Sequence, residues 1–319
     1  MDSIGHLPVL AAEVLEALAP VAGETVFDGT AGRGGHAELL ARRIGPTGTL
    51  VLMDLDAGNL AFAAERIRAL PEPPRVVPVH GNFQRIGSVL QGQGLRANMV
   101  MADLGFASTQ MDDPTRGFAF QSEGPLDMRL DRSQGPTAAE LLGRMRESEL
   151  ADLIYELGED PFARRIARVV MERRDEGGLR TTQDLSQAVV KAYGARARQS
   201  RVHPATRTFM ALRIAVNGEL DSLDNFLSDL GRAASQVAAG AESWLELGAR
   251  VAILSFHSLE DRSTKRAFVD WERQGWATRI TRKPLVAQET EQRDNPRSRS
   301  AKLRVARVES RKEDASAAG

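Results

Sequence analysis

Four short apolar stretches recur in the first third of the chain, with helical patterns between them. They cover residues 24–28, 49–54, 75–79 and 98–103, and each contains β-branched residues. Parallel strands need a crossover connection, so strands that alternate with helices are typical of a parallel sheet. The rhythm therefore predicts an α/β fold built on a central parallel sheet.

The predicted sheet is interrupted in sequence. A further strand, at residues 250–256, follows only after a long gap, and a last one is predicted at 302–308. Because 319 residues exceed the usual size of a single core, two lobes are expected. We predict a discontinuous sheet domain at residues 1–135 and 218–310, an all-helical insertion at 136–217, and a disordered tail at 311–319.

Helical patterns fill the gap between the strands. Thr137 and Glu140 have the spacing of a capping box. Asp160-Pro161 opens a segment in which Phe162, Ile166, Val169 and Val170 share one face. Leucine and valine at spacings of three and four predict one long helix from Leu212 to Leu230 that leads back to the sheet.

Composition excludes several classes of protein. The chain has no cysteine, which rules out disulfides, cysteine nucleophiles and thiolate metal sites. It has no apolar run that could span a bilayer, so we expect a soluble protein with no membrane partner. The first ten residues lack a positively charged stretch ahead of an apolar core, which favours a cytoplasmic location over secretion.

A glycine-rich segment follows the first predicted strand. It reads VFDGTAGRGGH and places Asp28 at the strand end, ahead of Gly29, Gly32, Gly34 and Gly35. Glycine permits a tight turn and close backbone approach to a ligand. Dinucleotide enzymes, methyltransferases and plain tight turns all use such a loop, so the loop alone leaves these alternatives open.

Asp54 narrows the choice of ligand for this loop. It ends the next strand about twenty residues after the last glycine, where a carboxylate can accept hydrogen bonds from both ribose hydroxyls of an adenosine. The glycines lack the spacing that brings a pyrophosphate to a helix N-terminus. Asp28 can face the amino group of a methionine moiety, which favours S-adenosylmethionine and leaves a nucleotide-dependent oxidoreductase as the alternative.

Asp103 ends the fourth predicted strand, at the sheet edge where ligands bind. Methyl transfer from a sulfonium requires chiefly an in-line nucleophile. An amine whose lone pair is delocalised into a ring is a poor nucleophile, and a carboxylate that accepts one of its N–H groups would help it. Asp103 is thus a catalytic candidate, and a strand-end cap is the alternative.

His257 opens a polar segment, HSLEDR, directly after the strand at 250–256. Polar density at a strand end suggests a site, and His257 is the second catalytic candidate, to orient a base or relay a proton. Glu260 and Arg262 could equally form a local ion pair. His6, His80 and His203 lack the spacing of a metal site, and no metal is predicted.

Two segments carry basic residues without acids. The net charge of −1 gives no global attraction to nucleic acid, so RNA binding would depend on such local runs. Each run could contact phosphate or be a solvated face. The first, residues 185–218, contains Lys191, Arg196, Arg198, Arg201, Arg207 and Arg213, and the second, residues 295–308, contains Arg297, Arg299, Lys302, Arg304 and Arg307.

The chain resembles the ribosomal RNA small-subunit methyltransferase H family over nearly its full length. The motifs that carry the resemblance are HLPVL at His6, DGTAGRGGH at Asp28, DLG at Asp103, RGFAF at Arg116, GPLDMRLD at Gly124, HPATRTF at His203, SFHSLEDR at Ser255 and NPRSRSAKLR at Asn295. The sequence departs from the family at FASTQ after Gly105 and at Met210.

The resemblance implies a class I methyltransferase sheet, Rossmann-like, with an inserted helical RNA-recognition domain. It implies N4-methylation of a cytidine in the decoding region of 16S rRNA, with the small ribosomal subunit as partner. It also implies that the cofactor site is lined by Gly34, Gly35, His36, Asp54, Phe83, Asp103 and Gln110.

The RNA contacts that we predict are Arg196, Arg198, Arg201 and Arg207. Whether the protein forms a homodimer is left open. Two rival functions are a nicotinamide oxidoreductase and a non-catalytic RNA-binding assembly factor that retains a methyltransferase shell. The intact glycine loop and Asp54 argue against both rivals.

Overall fold

The computed structural model describes residues 8–200 and 202–310. The strands are β1 (Thr25–Asp28), β2 (Thr49–Asp54), β3 (Arg75–His80), β4 (Ala97–Asp103), β5 (Leu245–Ser255), β6 (Ala277–Arg279) and β7 (Lys302–Val308). The helices are α1 (Ala11–Leu18), α2 (Gly35–Ile44), α3 (Ala57–Arg68), α4 (Ile86–Gly92), α5 (Ser108–Asp112), α6 (Ala138–Arg144), α7 (Glu147–Gly158), α8 (Ala163–Asp175), α9 (Thr182–Tyr193), α10 (Ala205–Asn217), α11 (Glu219–Ala238), α12 (Ser258–Arg273) and α13 (Glu289–Asp294).

The described strands form one sheet in the order β3-β2-β1-β4-β5-β7-β6. Strands β1 to β5 pair in parallel, whereas β7 runs antiparallel to both β5 and β6. This confirms the α/β fold with a sheet interrupted in sequence, and with it the class I methyltransferase architecture. The three-residue edge strand β6 is absent from the prediction because so short a segment has no readable alternation.

Each face of the sheet is covered by helices because alternate strand residues point to opposite sides. On one face Phe27, Val51 and Val100 pack with apolar residues of α4, α11 and α12. On the other, Val26 and Leu50 pack with residues of α1, α2 and α3. With both faces buried, the strands read as continuous apolar runs, which is why the sequence revealed them.

The chain divides into two compact units, which we call the sheet unit and the helical unit. Described residues up to 105 and from 221 onwards belong to the sheet unit, and residues 106–220 belong to the helical unit. The predicted insertion at 136–217 lies inside the helical unit, which begins earlier than expected. It does so because Phe118, Leu126 and Met128 are buried in the same apolar core as the helices from α6 to α10.

Local helix predictions have mixed outcomes. The capping box at the start of α6 is confirmed, since Thr137 Oγ1 accepts from Glu140 N at 3.2 Å and Glu140 Oε2 accepts from Thr137 N at 2.9 Å. Helix α8 also forms where predicted. The single long helix from Leu212 to Leu230 is wrong, because Gly218 adopts φ +57° and separates α10 from α11.

The tail predicted at 311–319 and the motif residue His6 lie outside the described residues. Within the described part of the chain, no helix has both the length and the apolar character that crossing a bilayer demands.

Candidate active site

Three carboxylates stand at the carboxyl ends of neighbouring strands. Asp28 ends the central strand β1 and is paired in register with Leu52 of β2 and Met101 of β4. Asp54 and Asp103 each lie two residues beyond those partners, at the ends of β2 and β4. The parallel sheet therefore brings the three predicted site aspartates together at one edge.

Burial raises the pKa values of all three carboxyl groups in this cluster. The pKa of Asp28 is raised to about 7, chiefly by removal from water and also by the neighbouring charges of Asp103 and Asp54. Burial likewise raises the pKa of Asp54 to about 6 and that of Asp103 to about 6. In the described part of the chain, none of the three is paired with lysine or arginine. The cluster is thus poised to receive positive charge from a ligand.

The glycine loop connects β1 to α2 and is held by these carboxylates. Asp54 Oδ2 accepts from Gly32 N at 2.7 Å, and its Oδ1 accepts from Asp56 N at 2.8 Å. Asp28 Oδ1 accepts from Thr30 N at 3.1 Å. Gly32 and Gly34 have φ values of +49° and +80°, a region that glycine enters without steric cost.

The loop is also fixed from the side of α3. A Cβ on Gly34 would lie 3.3 Å from Ala63 Cα, so the two backbones pack closely. Arg66 Nη1 donates to the carbonyl oxygen of Arg33 at 3.1 Å, and Arg66 Nε is 2.6 Å from Glu38 Oε2. The loop conformation is therefore set by its own packing before any ligand binds.

Phe83 lies beside the start of the loop. A Cβ on Gly29 would approach Phe83 Cβ to 2.9 Å, and the Phe83 ring packs edge-on against Phe226 at 5.0 Å. The resemblance implied this residue, and strand rhythm could not have found it, because it precedes the helix α4 rather than ending a strand. Its position against the loop is consistent with a cofactor contact, which stays a prediction.

His36 lies in the first turn of α2, next to Asp103. Its Nε2 is 3.6 Å from Asp103 Oδ2, and its ring is buried. Burial lowers the pKa of His36 to about 4, so the imidazole is neutral at physiological pH. Asp103 Oδ1 accepts from Gly105 N at 3.2 Å, and Thr30 Oγ1 accepts from Asp103 N at 2.6 Å. Thr30 therefore fixes the backbone of Asp103, and Gly105 N fixes one oxygen of its carboxylate.

His257 has a structural role that its sequence context concealed. It caps α12: its Nδ1 is 3.5 Å from Glu260 N, and its Nε2 is 3.1 Å from Glu260 Oε1. Glu260 in turn accepts from the backbone N of Phe256 at 2.8 Å. The charge of Glu260 also contributes to the raised pKa of Asp103, which shows that this cap lies close to the carboxylate cluster. Catalysis by His257 stays a prediction.

The remaining predicted residues belong to the helical unit. Gln110 is buried, and its Oε1 accepts from Ala107 N at 3.0 Å at the start of α5. Arg196, Arg198 and Arg207 are exposed. Arg207 Nη1 donates to Glu159 O at 2.9 Å, and the Arg196 guanidinium lies 5.5 Å from the Phe162 ring centroid. Arg201 lies outside the described residues.

Several residues of the second basic run form ion pairs within the protein. Lys302 and Arg304 lie on β7, and both pair with Asp261 of α12, at 3.3 Å and 2.7 Å. Arg307 pairs with Glu309 at 2.9 Å. These ion pairs account for Lys302, Arg304 and Arg307 without any RNA, whereas Arg297 and Arg299 are exposed, and phosphate contact by this run stays a prediction.

Comparison with known proteins agrees with this architecture. Residues 3–309 match the MraW methylase family. The chain belongs to this family. The matched residues include the glycine loop with its carboxylates and the whole helical unit. The predicted family is thereby confirmed.

Curated relatives of this MraW methylase share the same name. The protein from Sorangium cellulosum is 46% identical over 95% of this chain and 90% of its own length, and that from Prochlorococcus marinus is 45% identical over 95% and 92%. Both are called ribosomal RNA small subunit methyltransferase H. A solved SAM-dependent O-methyltransferase from Thermotoga maritima is 9% identical over 95% of this chain and 66% of that chain, with a TM-score of 0.37.

Proposed function

We propose that this chain transfers a methyl group from S-adenosylmethionine to the N4 amine of a cytidine in the decoding region of 16S rRNA, a cytoplasmic activity. The observation that carries the proposal is the buried cluster of Asp28, Asp54 and Asp103 beside the glycine loop. Membership in a methylase family and the names of its relatives support the substrate class.

The charge of the cluster fits this cofactor. S-adenosylmethionine carries a sulfonium and an ammonium group, and both would relieve the repulsion among three buried carboxylates. A nicotinamide dinucleotide would instead bring a pyrophosphate into a site that already holds unpaired negative charge. Electrostatics at this sheet edge thus supports a methyltransferase over an oxidoreductase.

Asp54 and Asp28 have separate roles in this proposal. Asp54 uses one oxygen on Gly32 N and the other on Asp56 N, and each carboxylate oxygen can accept a second hydrogen bond. Those remaining acceptor positions suit the two ribose hydroxyls. Asp28, at the base of the loop, suits the ammonium of the methionine moiety.

Asp103 is the residue that we assign to the acceptor base. Bound S-adenosylmethionine would supply the methyl group: the N4 lone pair would bond to the methyl carbon as the carbon–sulfur bond breaks, which would leave a neutral thioether. One N4 proton must then leave, and the Asp103 carboxylate can accept its hydrogen bond before transfer and hold the proton afterwards. His36 beside it is neutral and so does not compete as a cation for that carboxylate.

The same carboxylate gives a basis for choosing cytidine. An acceptor that faces N4 of cytosine would meet the O4 carbonyl of uridine, and two acceptors repel each other. The base also has to leave any helical stack in order to reach a strand end, so the target should be unpaired or flipped out. The exposed arginines of the helical unit, Arg196, Arg198 and Arg207, are proposed to hold the RNA backbone.

The proposal is tested with purified protein, labelled S-adenosylmethionine, and small-subunit particles or 16S rRNA as acceptor. We expect label in the RNA with wild-type protein and a strong loss with Asp103→Asn. Calorimetry should show that the protein binds S-adenosylhomocysteine and does not bind NAD. Binding of NAD would support the oxidoreductase, and RNA binding with no cofactor affinity would support an assembly factor.

A further inference from the structure

A three-ring aromatic stack crosses the helical unit from its core to its surface. Phe209 of α10 is buried, and the ring of Phe120 packs edge-on against it at 5.2 Å. The imidazole of His203 lies on Phe120 with ring centroids 4.4 Å apart and planes 22° apart. His203 is exposed, so the stack ends in a flat ring at the surface.

The outer ring is held in one orientation. His203 Nδ1 accepts from Ala205 N at 3.2 Å, which ties the imidazole to the first residue of α10. The His203 carbonyl accepts from Thr206 N at 3.0 Å, which fixes the backbone as well. Phe120 supports the inner face. A ring held this way loses little freedom when a planar ligand stacks on it.

The charged residues close to His203 in sequence are all basic. Arg196, Arg198 and Arg207 are exposed within seven residues of His203, and the segment from 185 to 218 contains no acid. An exposed aromatic ring in a basic, acid-free segment is typical of single-stranded nucleic-acid binding, in which bases stack and cations hold phosphates. The solvated-face alternative accounts for the arginines, and the bond to Ala205 N accounts for the orientation of the imidazole, but neither requires the outer face of the ring to be exposed.

We propose that His203, backed by Phe120, is a stacking platform for one unpaired base of the RNA substrate. This rests on the proposed function only in assuming that the ligand is RNA. The platform reads the presence of an unstacked base rather than its sequence, because every base has a π face. It is a binding residue and takes no part in methyl transfer.

The experiment measures how strongly a single-stranded RNA from the decoding region binds, by fluorescence anisotropy over a range of salt concentrations. His203→Asn keeps an acceptor for Ala205 N and removes the ring. We expect it to weaken binding about five- to 150-fold, the loss typical of one stacked base. The slope of log K against log salt should stay unchanged, because no phosphate contact is lost.

Two controls separate stacking from other effects. His203→Phe retains a ring and loses the helix cap, and we expect it to bind RNA within about twofold of wild type, since base–aromatic stacking tolerates a change of ring. Tyr155→Ala removes another exposed aromatic ring of the helical unit, on α7, and should leave binding unchanged. Thermal unfolding of each variant reports whether the fold is kept.

The outcomes are distinct. Wild-type affinity in a folded His203→Asn variant would overturn the platform, and so would a changed salt slope or an equal loss in Tyr155→Ala. If wild-type protein methylates RNA while His203→Asn binds normally, the stacking inference fails and the proposed function stands. If wild-type protein neither binds nor methylates RNA, the proposed function fails and a protein ligand becomes the alternative for this surface.

Discussion

The carboxylate cluster should cost the protein stability, and Asp28→Asn measures that cost. Asp28 is only 2% exposed, and its pKa is raised from 3.8 to about 7. A carboxyl whose pKa is higher in the folded than in the unfolded protein destabilises the fold when it is ionised. The destabilisation is therefore absent below about pH 4 and complete above about pH 7.

Its magnitude follows from the shift. Three pKa units correspond to about 4 kcal/mol, because one unit is about 1.4 kcal/mol. Asparagine keeps an acceptor for Thr30 N and cannot ionise. The free energy of unfolding of Asp28→Asn, relative to wild type, should therefore rise by about 4 kcal/mol between pH 4 and pH 8. Desolvation of the new amide subtracts a constant of about 1–3 kcal/mol at every pH.

Urea unfolding at several pH values, without ligand, gives this difference directly. Asp152→Asn, which neutralises an exposed carboxylate on α7, is the matched control and should show no such trend. The same Asp28→Asn variant should bind S-adenosylmethionine about tenfold to a hundredfold more weakly, because a charge-assisted contact is lost. A stability difference that is independent of pH would refute the claim that Asp28 is a strained, uncompensated charge.

Further predictions concern the other site residues. Asp54→Ala should cost a few kcal/mol of cofactor binding free energy, since it removes the ribose acceptor and the anchor of Gly32 N, and unchanged calorimetric affinity would remove Asp54 from the site. In wild type, single-turnover transfer should fall as acid protonates Asp103, at a pH no higher than about 6, because the bound sulfonium favours the carboxylate. Asp103→Asn should still bind the cofactor but transfer the methyl group slowly and without this pH dependence. A normal transfer rate would contradict the role of Asp103. Neutralising Arg196, Arg198 and Arg207 together should weaken RNA binding and flatten its salt dependence, whereas the Lys302→Gln control, whose side chain pairs with Asp261, should not change the slope.

Some of the architecture could be read from the sequence because its physical signal is local. The runs at 49–54 and 302–308 are strands with those bounds, since a strand buried on both faces is apolar throughout. The positions of the three aspartates could be predicted from the same strand pattern, because the carboxyl ends of parallel strands lie at one edge of the sheet. Asp28, Asp54 and Asp103 therefore lie together as predicted.

What the sequence concealed depends on distant contacts. The apolar stripe of α10 continues into α11, so nothing in its spacing shows that Gly218 turns the backbone between them. The basic run at 295–308 looks uniform in sequence, yet pairing of β7 beside α12 commits Lys302 and Arg304 to Asp261. The cap formed by His257 and Glu260 has capping-box spacing, but histidine is an unusual first residue for such a box, so this structural role was not evident from the sequence.

The central claim is that the methyl group goes to the exocyclic amine of a cytidine in 16S rRNA. Nucleosides from 16S rRNA of a strain that lacks this protein, before and after treatment with purified enzyme and S-adenosylmethionine, can be compared by mass spectrometry. The account predicts that N4-methylcytidine appears only after treatment with wild-type enzyme and is much reduced with Asp103→Asn. A methyl group found on carbon 5 of the base, or on the ribose, would contradict it.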